Sequence, residues 1–138
     1  MIEMRGRLLQ HEHDGSAFIG GGFSVGFGNG ATSWDIGILP TEIRNIANET
    51  LLSGMTNSSF HNYRLEWSPG PVLRYYVDNV LVSTDNSGFA GSSNQFFFGD
   101  GTGAANAQAE ITYVRFRQGS TATAAAATSW GRIKSLYR

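Results

Sequence analysis

The side chains of this chain that could do chemistry are its carboxylates, its three histidines and a scatter of aromatic and guanidinium groups; there is no cysteine. Thiolate catalysis, disulfides and Cys-based zinc sites are thereby excluded together. Hydrolysis of a glycosidic bond with retention needs two carboxylates about 5 to 5.5 Å apart, one as nucleophile and one as acid/base. Glu42, Glu49, Glu66, Asp78, Asp85, Asp100 and Glu110 are instead spread one per element, and no Ser-His-Asp arrangement is suggested by context. His11 and His13 would share a face if their strand persisted, and His-x-His beside Glu12 and Asp14 has the donors of a metal site. No third ligand stands at a suitable spacing, so His11 to Ser16 reads as a polar turn. On these grounds the chain is expected not to be an enzyme.

The elements that must position these groups are strands. Phe60 to Val82 is the organising stretch. Tyr63, Leu65 and Trp67 alternate with Asn62, Arg64 and Glu66, the period of a half-buried strand. Ser68 to Pro71 forces a turn, after which Leu73, Tyr75 and Val77 face one way and Val72, Arg74 and Tyr76 the other. Asp78-Asn79 supplies a second tight turn, tolerant of positive φ, before Val80 to Val82. The result is a three-stranded antiparallel meander.

Here the sequence resembles the concanavalin A-like lectin/glucanase superfamily, in particular its laminin-G-like and pentraxin-like modules, in which F-H-x-Y-x-L-x-W is followed by x-x-Y-V-D-G-x-L-V. Asn79 stands where that pattern has Gly. Phe97-Phe98-Gly99-Asp100-Gly101-Thr102 and Ile111-Thr112-Tyr113-Val114-Arg115-Phe116 look like the closing strands of the same module, and the resemblance covers roughly Met1 to Gln118. It implies an all-β, two-sheet antiparallel jelly-roll sandwich. It also implies a structural calcium ion, for which Asp100 is the candidate oxygen ligand; Thr112 replaces the Asp that the family often has before the Tyr. The retaining β-glucanases of the superfamily carry Glu-x-Asp-x-x-Glu on one strand, and that spacing is absent here.

Composition agrees with a strand-rich globular unit: 138 residues, 41% hydrophobic and 15% charged, with 18 Gly and only 3 Pro. The length suits one domain. A net charge of −1 without a basic run argues against nucleic acid. No apolar run is long enough to span a bilayer. Met1 to Gln10 lacks the layout of a signal peptide, yet Ile2 to Leu9 already reads as a strand. The chain is therefore read as a module of a larger extracellular or cell-surface bacterial protein, with any export signal outside it.

In the remaining segments, Phe23, Val25 and Phe27 alternate as a core-facing strand should, and Gly28-Asn29-Gly30 is a hairpin turn. Gly20 to Gly22 marks a bulge or a close backbone approach and is not a phosphate loop, since neither a helix pattern nor Lys-Ser/Thr follows. Ser33 to Leu39 and Glu42 to Ile46 are the next strands, Thr50 to Ser59 is a loop, and Asp85 to Asn94 is a polar rim loop that could carry ligand contacts. Asn48-Glu49-Thr50 and Asn57-Ser58-Ser59 match the N-glycosylation pattern and are read as coincidental.

The tail differs in composition. Residues 119–128 form an Ala/Thr/Ser linker. In 129–138, Trp130, Ile133 and Tyr137, with Leu136 beside them, make one apolar face of a short helix. That face could cover its own sandwich, or contact a neighbouring domain or a second copy of the chain.

The function that follows is a non-catalytic carbohydrate-binding or adhesion module. Aromatic rings would stack on sugar C–H faces while polar groups read the hydroxyls, with Trp34, Arg74 and Tyr76 as the candidate ligand-binding residues. The alternative is a structural or oligomerisation domain acting through protein contacts. A glycoside hydrolase relative without a recognisable catalytic motif stands third.

Overall fold

The computed structural model describes residues 1–13, 23–45, 47–68, 72–85, 88–90, 94–100 and 105–117. All of the regular structure among them is β, in eleven strands: β1 (Ile2–His13), β2 (Phe23–Gly28), β3 (Thr32–Ile38), β4 (Glu42–Arg44), β5 (Thr50–Ser53), β6 (His61–Ser68), β7 (Val72–Val77), β8 (Val80–Asp85), β9 (Phe89–Ala90), β10 (Phe96–Asp100) and β11 (Ala105–Phe116). The first sheet has the order β11-β1-β6-β7-β8. The second has the order β10-β2-β3-β4-β5, with the two-residue β9 on β3. Every pairing is antiparallel.

Alternation fixes what lies between the sheets. Ile2, Met4, Leu8, Tyr63, Leu65, Leu73, Tyr75 and Val77 from the first sheet form one core cluster with Phe23, Val25, Phe27, Trp34, Ile36, Ile38 and Ile43 from the second. The organising meander is therefore present as β6, β7 and β8, with Tyr63 opposite Val77 and Leu65 opposite Tyr75. Trp67 shares their face but sits near the end of β6 and is 42% exposed.

Turn chemistry sets the hairpins. Asp78 and Asn79 have φ of 49° and 68°, the paired positive values of a type I′ turn. The Asp78 carboxylate also accepts the Asn62 amide at 2.8 Å and lies 2.6 Å from Nδ1 of His61. Partial burial works against that carboxylate, but the Asn62 amide and the His61 ring outweigh it and hold its pKa below the ordinary value. Between β2 and β3, Asn29 Oδ1 accepts the amides of Ala31 and Thr32, and Gly30 takes φ of 89°.

Two expectations change. The first strand continues through His11 to His13 because β11 pairs with it along its whole length, with register shifts at Arg5/Gly6 and Leu8/Gln10. Thr50 to Ser53 is a strand rather than part of a loop, paired with β4. The two closing segments lie in different sheets, β10 in the second and β11 in the first. The linker and tail readings for 119–138, the glycines 20–22, and residues 86–87 and 91–93 of the 85–94 loop lie outside the described residues, while Phe89–Ala90 within that loop is β9.

Candidate binding face

The outward face of the first sheet gathers several planar polar groups. Register places Glu3 opposite both Arg115 and Arg64, and Arg64 opposite Tyr76, so one row runs Arg115, Glu3, Arg64, Tyr76 across β11, β1, β6 and β7. Beside it Arg5 lies opposite Tyr113 and Asn62, and Glu66 opposite Arg74.

Glu3 is the hub. Only 4% exposed, its carboxylate meets the Arg115 guanidinium, with Nε at 3.0 Å, and the Tyr113 hydroxyl at 2.6 Å. Arg64 Nη1 stands 3.8 Å from its second oxygen. Burial alone would raise the Glu3 pKa, but the hydrogen bonds from Tyr113 and Arg115 and the charges of Arg115 and Arg64 prevail and hold it below the ordinary carboxylate range. Arg64 in turn reaches Asn79 Oδ1 at 2.9 Å and Glu66 Oε1 at 3.1 Å, and its guanidinium lies 4.2 Å from the centroid of the Tyr76 ring. Arg74 donates to Ser68 Oγ at 2.9 Å. Arg115 lies 4.8 Å from the Tyr113 ring, and its own side chain is 61% exposed.

Of the expected ligand residues, Arg74 and Tyr76 belong to this face, two positions apart on β7 and both half-buried. Trp34 does not join them. It is 2% exposed, packed in the core with its ring centroid 5.4 Å from that of Phe27, and its indole presents no face to a ligand. Its alternation with Ile36 and Ile38 already assigns it to the inward side of β3. Asp100 closes β10 opposite Phe23 in the other sheet; its side chain and the Gly101-Thr102 turn lie outside the described residues. Arg64, Tyr113 and Arg115 were not among the expected site residues. The β6 alternation marked Arg64 as outward, whereas the neighbourhood of Tyr113 and Arg115 exists only because β11 docks on β1.

The carboxylates serve structure in the described part. Glu110 pairs with Arg7 at 2.7 Å, Glu42 with Arg44, and Glu49 accepts the Asn45 amide group at 2.8 Å. Among the described residues no group of three or more His, Asp and Glu is placed to hold a metal ion; His13's side chain and Asp14 lie outside that set. Asp35 is the exception in environment. An added Cβ on Gly26 would stand 2.8 Å from Asp35 Cβ and 2.5 Å from the tip of Phe97, so carboxylate and ring crowd the same glycine. Among the described residues Asp35 Oδ1 is buried without a hydrogen-bond partner, and burial pushes its pKa up to about 7.

Asn57 cannot carry a glycan in this fold. It is 0% exposed, and its side chain bonds the carbonyls of Leu39 and Glu42 and the Tyr63 hydroxyl. No helix among the described residues is long and apolar enough to cross a membrane. No protein-family model and no curated protein matches this sequence.

Proposed function

We propose that this chain is a non-catalytic carbohydrate-binding or adhesion module of a larger extracellular bacterial protein. The reading takes the fold as a jelly-roll sandwich of the concanavalin A-like kind, which the resemblance of Phe60 to Val82 suggests and the two antiparallel sheets accommodate. The observation that carries it is the planar face on the first sheet. Tyr76 and Arg74 stand on β7, Arg64 on β6, and Tyr113 and Arg115 on β11, with β1 between β6 and β11 supplying Glu3, which bonds Arg115 and stands 3.8 Å from Arg64. Phenol rings beside guanidinium groups already held by other side chains suit a polyol, whose C–H face stacks while its hydroxyls exchange hydrogen bonds. The anchoring matters because a donor already fixed loses less rotamer entropy on binding. Calcium at Asp100 belongs to the same reading.

The test is retardation in affinity electrophoresis through a panel of soluble polysaccharides, with and without calcium. We expect one glycan to retard the protein and Tyr76→Ala or Arg74→Ala to abolish it while thermal unfolding remains cooperative. Ser53→Ala, on the second sheet, should change nothing. A glycan that retards the wild type and the Tyr76 and Arg74 variants equally would move binding off this face, and no retardation by any glycan would remove the reading.

One observation favours the second reading, a structural domain acting through protein contacts. Phe96, Phe98 and Phe116 are exposed together at one side of the molecule, where isolated exposed aromatics would be ordinary but a contiguous group calls for a covering surface. Sedimentation of the full chain distinguishes this reading by mass.

A further inference from the structure

β10 and β11 are the terminal strands of their sheets along the same side of the molecule. Phe96 and Phe98 project from one face of β10, and Phe116 from the end of β11. Their exposures are 47%, 54% and 45%, and the Phe96 and Phe116 rings lie 3.8 Å apart between centroids. The register explains how these rings come to be there. Phe96 stands opposite Phe27 and Phe98 opposite Val25, so both point to the inner side of the second sheet. They emerge where no further strand among the described residues closes the sandwich, and so they extend the core to the surface.

The chain itself leaves the described part of the structure at this place. Arg117 is the last residue before 118–138, and it is tied down: its amide donates to the Met1 carbonyl at 2.9 Å and its carbonyl accepts the Met1 ammonium at 2.9 Å. The segment that follows is attached one residue after Phe116. Its first twelve residues, Gln118 to Ser129, are small or polar apart from short alanines, and the apolar residues Trp130, Ile133, Leu136 and Tyr137 come after them. Twelve residues of free coil would have a root-mean-square reach of about 20 Å, at roughly 5 to 6 Å times the square root of the residue count. That spans a two-strand edge, and tethering gives an effective concentration on the order of millimolar.

We propose that the C-terminal segment of the same chain covers this edge, with Trp130, Ile133, Leu136 and Tyr137 packing on Phe96, Phe98 and Phe116. Two apolar groups that each need cover are joined by a link long enough to bring them together, and aromatic pairs gain from offset or edge-on packing beyond the area they bury. The segment shields the open side of the sandwich and takes the place of a partner there. This inference does not depend on glycan binding, which uses the outward face of the other sheet.

The tail carries its own reporters, since trypsin cuts after Arg132 and Lys134. Initial cleavage at these two bonds is measured by mass spectrometry on the full chain, in the wild type and in Phe98→Asp, with sedimentation velocity on both. Cleavage of a covered segment tracks the population of its open form. We expect a monomer in which both bonds are cut about tenfold more slowly in the wild type than in Phe98→Asp. Should Phe98→Asp lose cooperative unfolding, Phe98→Ser and Trp130→Ser replace it, the latter read by cleavage after Lys134. Equal rates in the wild type and folded variants would overturn the proposal. So would protection that appears only in a dimer and fades on dilution, since the occupant would then be a second copy.

Discussion

The Tyr63 hydroxyl donates to Asn57 Oδ1 at 2.6 Å with both residues at 0% exposure. The Asn57 Nδ2 group spans the Leu39 and Glu42 carbonyls at 2.5 and 3.0 Å. Backbone bonds add to the junction, Leu8 to the Asn57 carbonyl and Asn57 to the Pro40 carbonyl. One amide side chain thus joins the β4 and β6 surroundings and satisfies a phenol in an otherwise apolar core. Asn57→Ala takes the partner from a buried hydroxyl and from the Leu39 carbonyl, while the Glu42 carbonyl keeps the Leu39 amide, and we expect a loss of about 2–4 kcal/mol in urea unfolding. A loss below about 0.5 kcal/mol would mean that the junction is dispensable.

Gly26 should tolerate no side chain. A Cβ there would approach the Trp34 carbonyl oxygen to 2.3 Å, a backbone atom that cannot swing aside, as well as Asp35 and Phe97. Gly26→Ala is expected to cost about 1–3 kcal/mol or more through overpacking, visible as a lowered thermal midpoint. An unchanged midpoint would show that β2 and β3 can separate locally at no cost.

Asp35 ties stability to pH. Its folded pKa of about 7 lies above the ordinary value because of burial. Between about pH 4 and 7 the folded protein holds a proton that the unfolded chain has released, so stability falls as pH rises through this window and levels off above it. Asp35→Asn should flatten the slope and raise stability at pH 8 by up to about 4 kcal/mol, the upper limit from about three pKa units. Unfolding curves at pH 5, 6.5 and 8 decide it, and an identical slope in both proteins would remove Asp35 as the cause.

Glu3 and Asp78 act in the opposite sense. Both are held below the ordinary carboxylate range, so their contribution is present above the unfolded value near pH 4 and is lost as pH falls through the folded values. Glu3→Gln should cost about 2–3 kcal/mol at pH 7 by weakening charge-assisted bonds to Arg115. It should also reduce the loss of stability between pH 4 and 2. With Asp35, these groups together favour mildly acidic conditions, and an optimum at or above pH 8 would contradict the assignment.

The β7–β8 turn separates two roles of adjacent residues. Asp78→Ala removes the acceptor for the Asn62 amide and the His61 partner and should cost about 1–2 kcal/mol. Asn79→Gly keeps the positive φ and loses the Arg64 contact, for a change within about 0.5 kcal/mol. Equal costs would show that backbone strain, rather than capping, dominates the turn.

Much of the fold is legible in the residues because its signals are local. Tyr63, Leu65, Leu73, Tyr75 and Val77 alternate as read and are all buried, and Asp78-Asn79 turns as its chemistry requires. The misread segments are those whose structure depends on a distant partner. His11 to His13 are polar turn formers by composition, and become strand because Ala105 to Ala107 pair with them. Thr50 to Ser53 is short and weakly apolar, and becomes strand on the edge of β4.

The candidate face divides along the same line. Which residues of β6 and β7 point outward follows from a side-chain period of two, a property of each strand alone, so Arg64, Arg74 and Tyr76 could be assigned from sequence. That Arg115 and Tyr113 converge on Glu3, 112 and 110 residues away, was decided only in the folded chain. Strand order depends on which edges meet after collapse, and hydrogen-bonding edges are the same for every sequence. The local pattern therefore determined the faces of this protein, and tertiary pairing determined which faces became one surface.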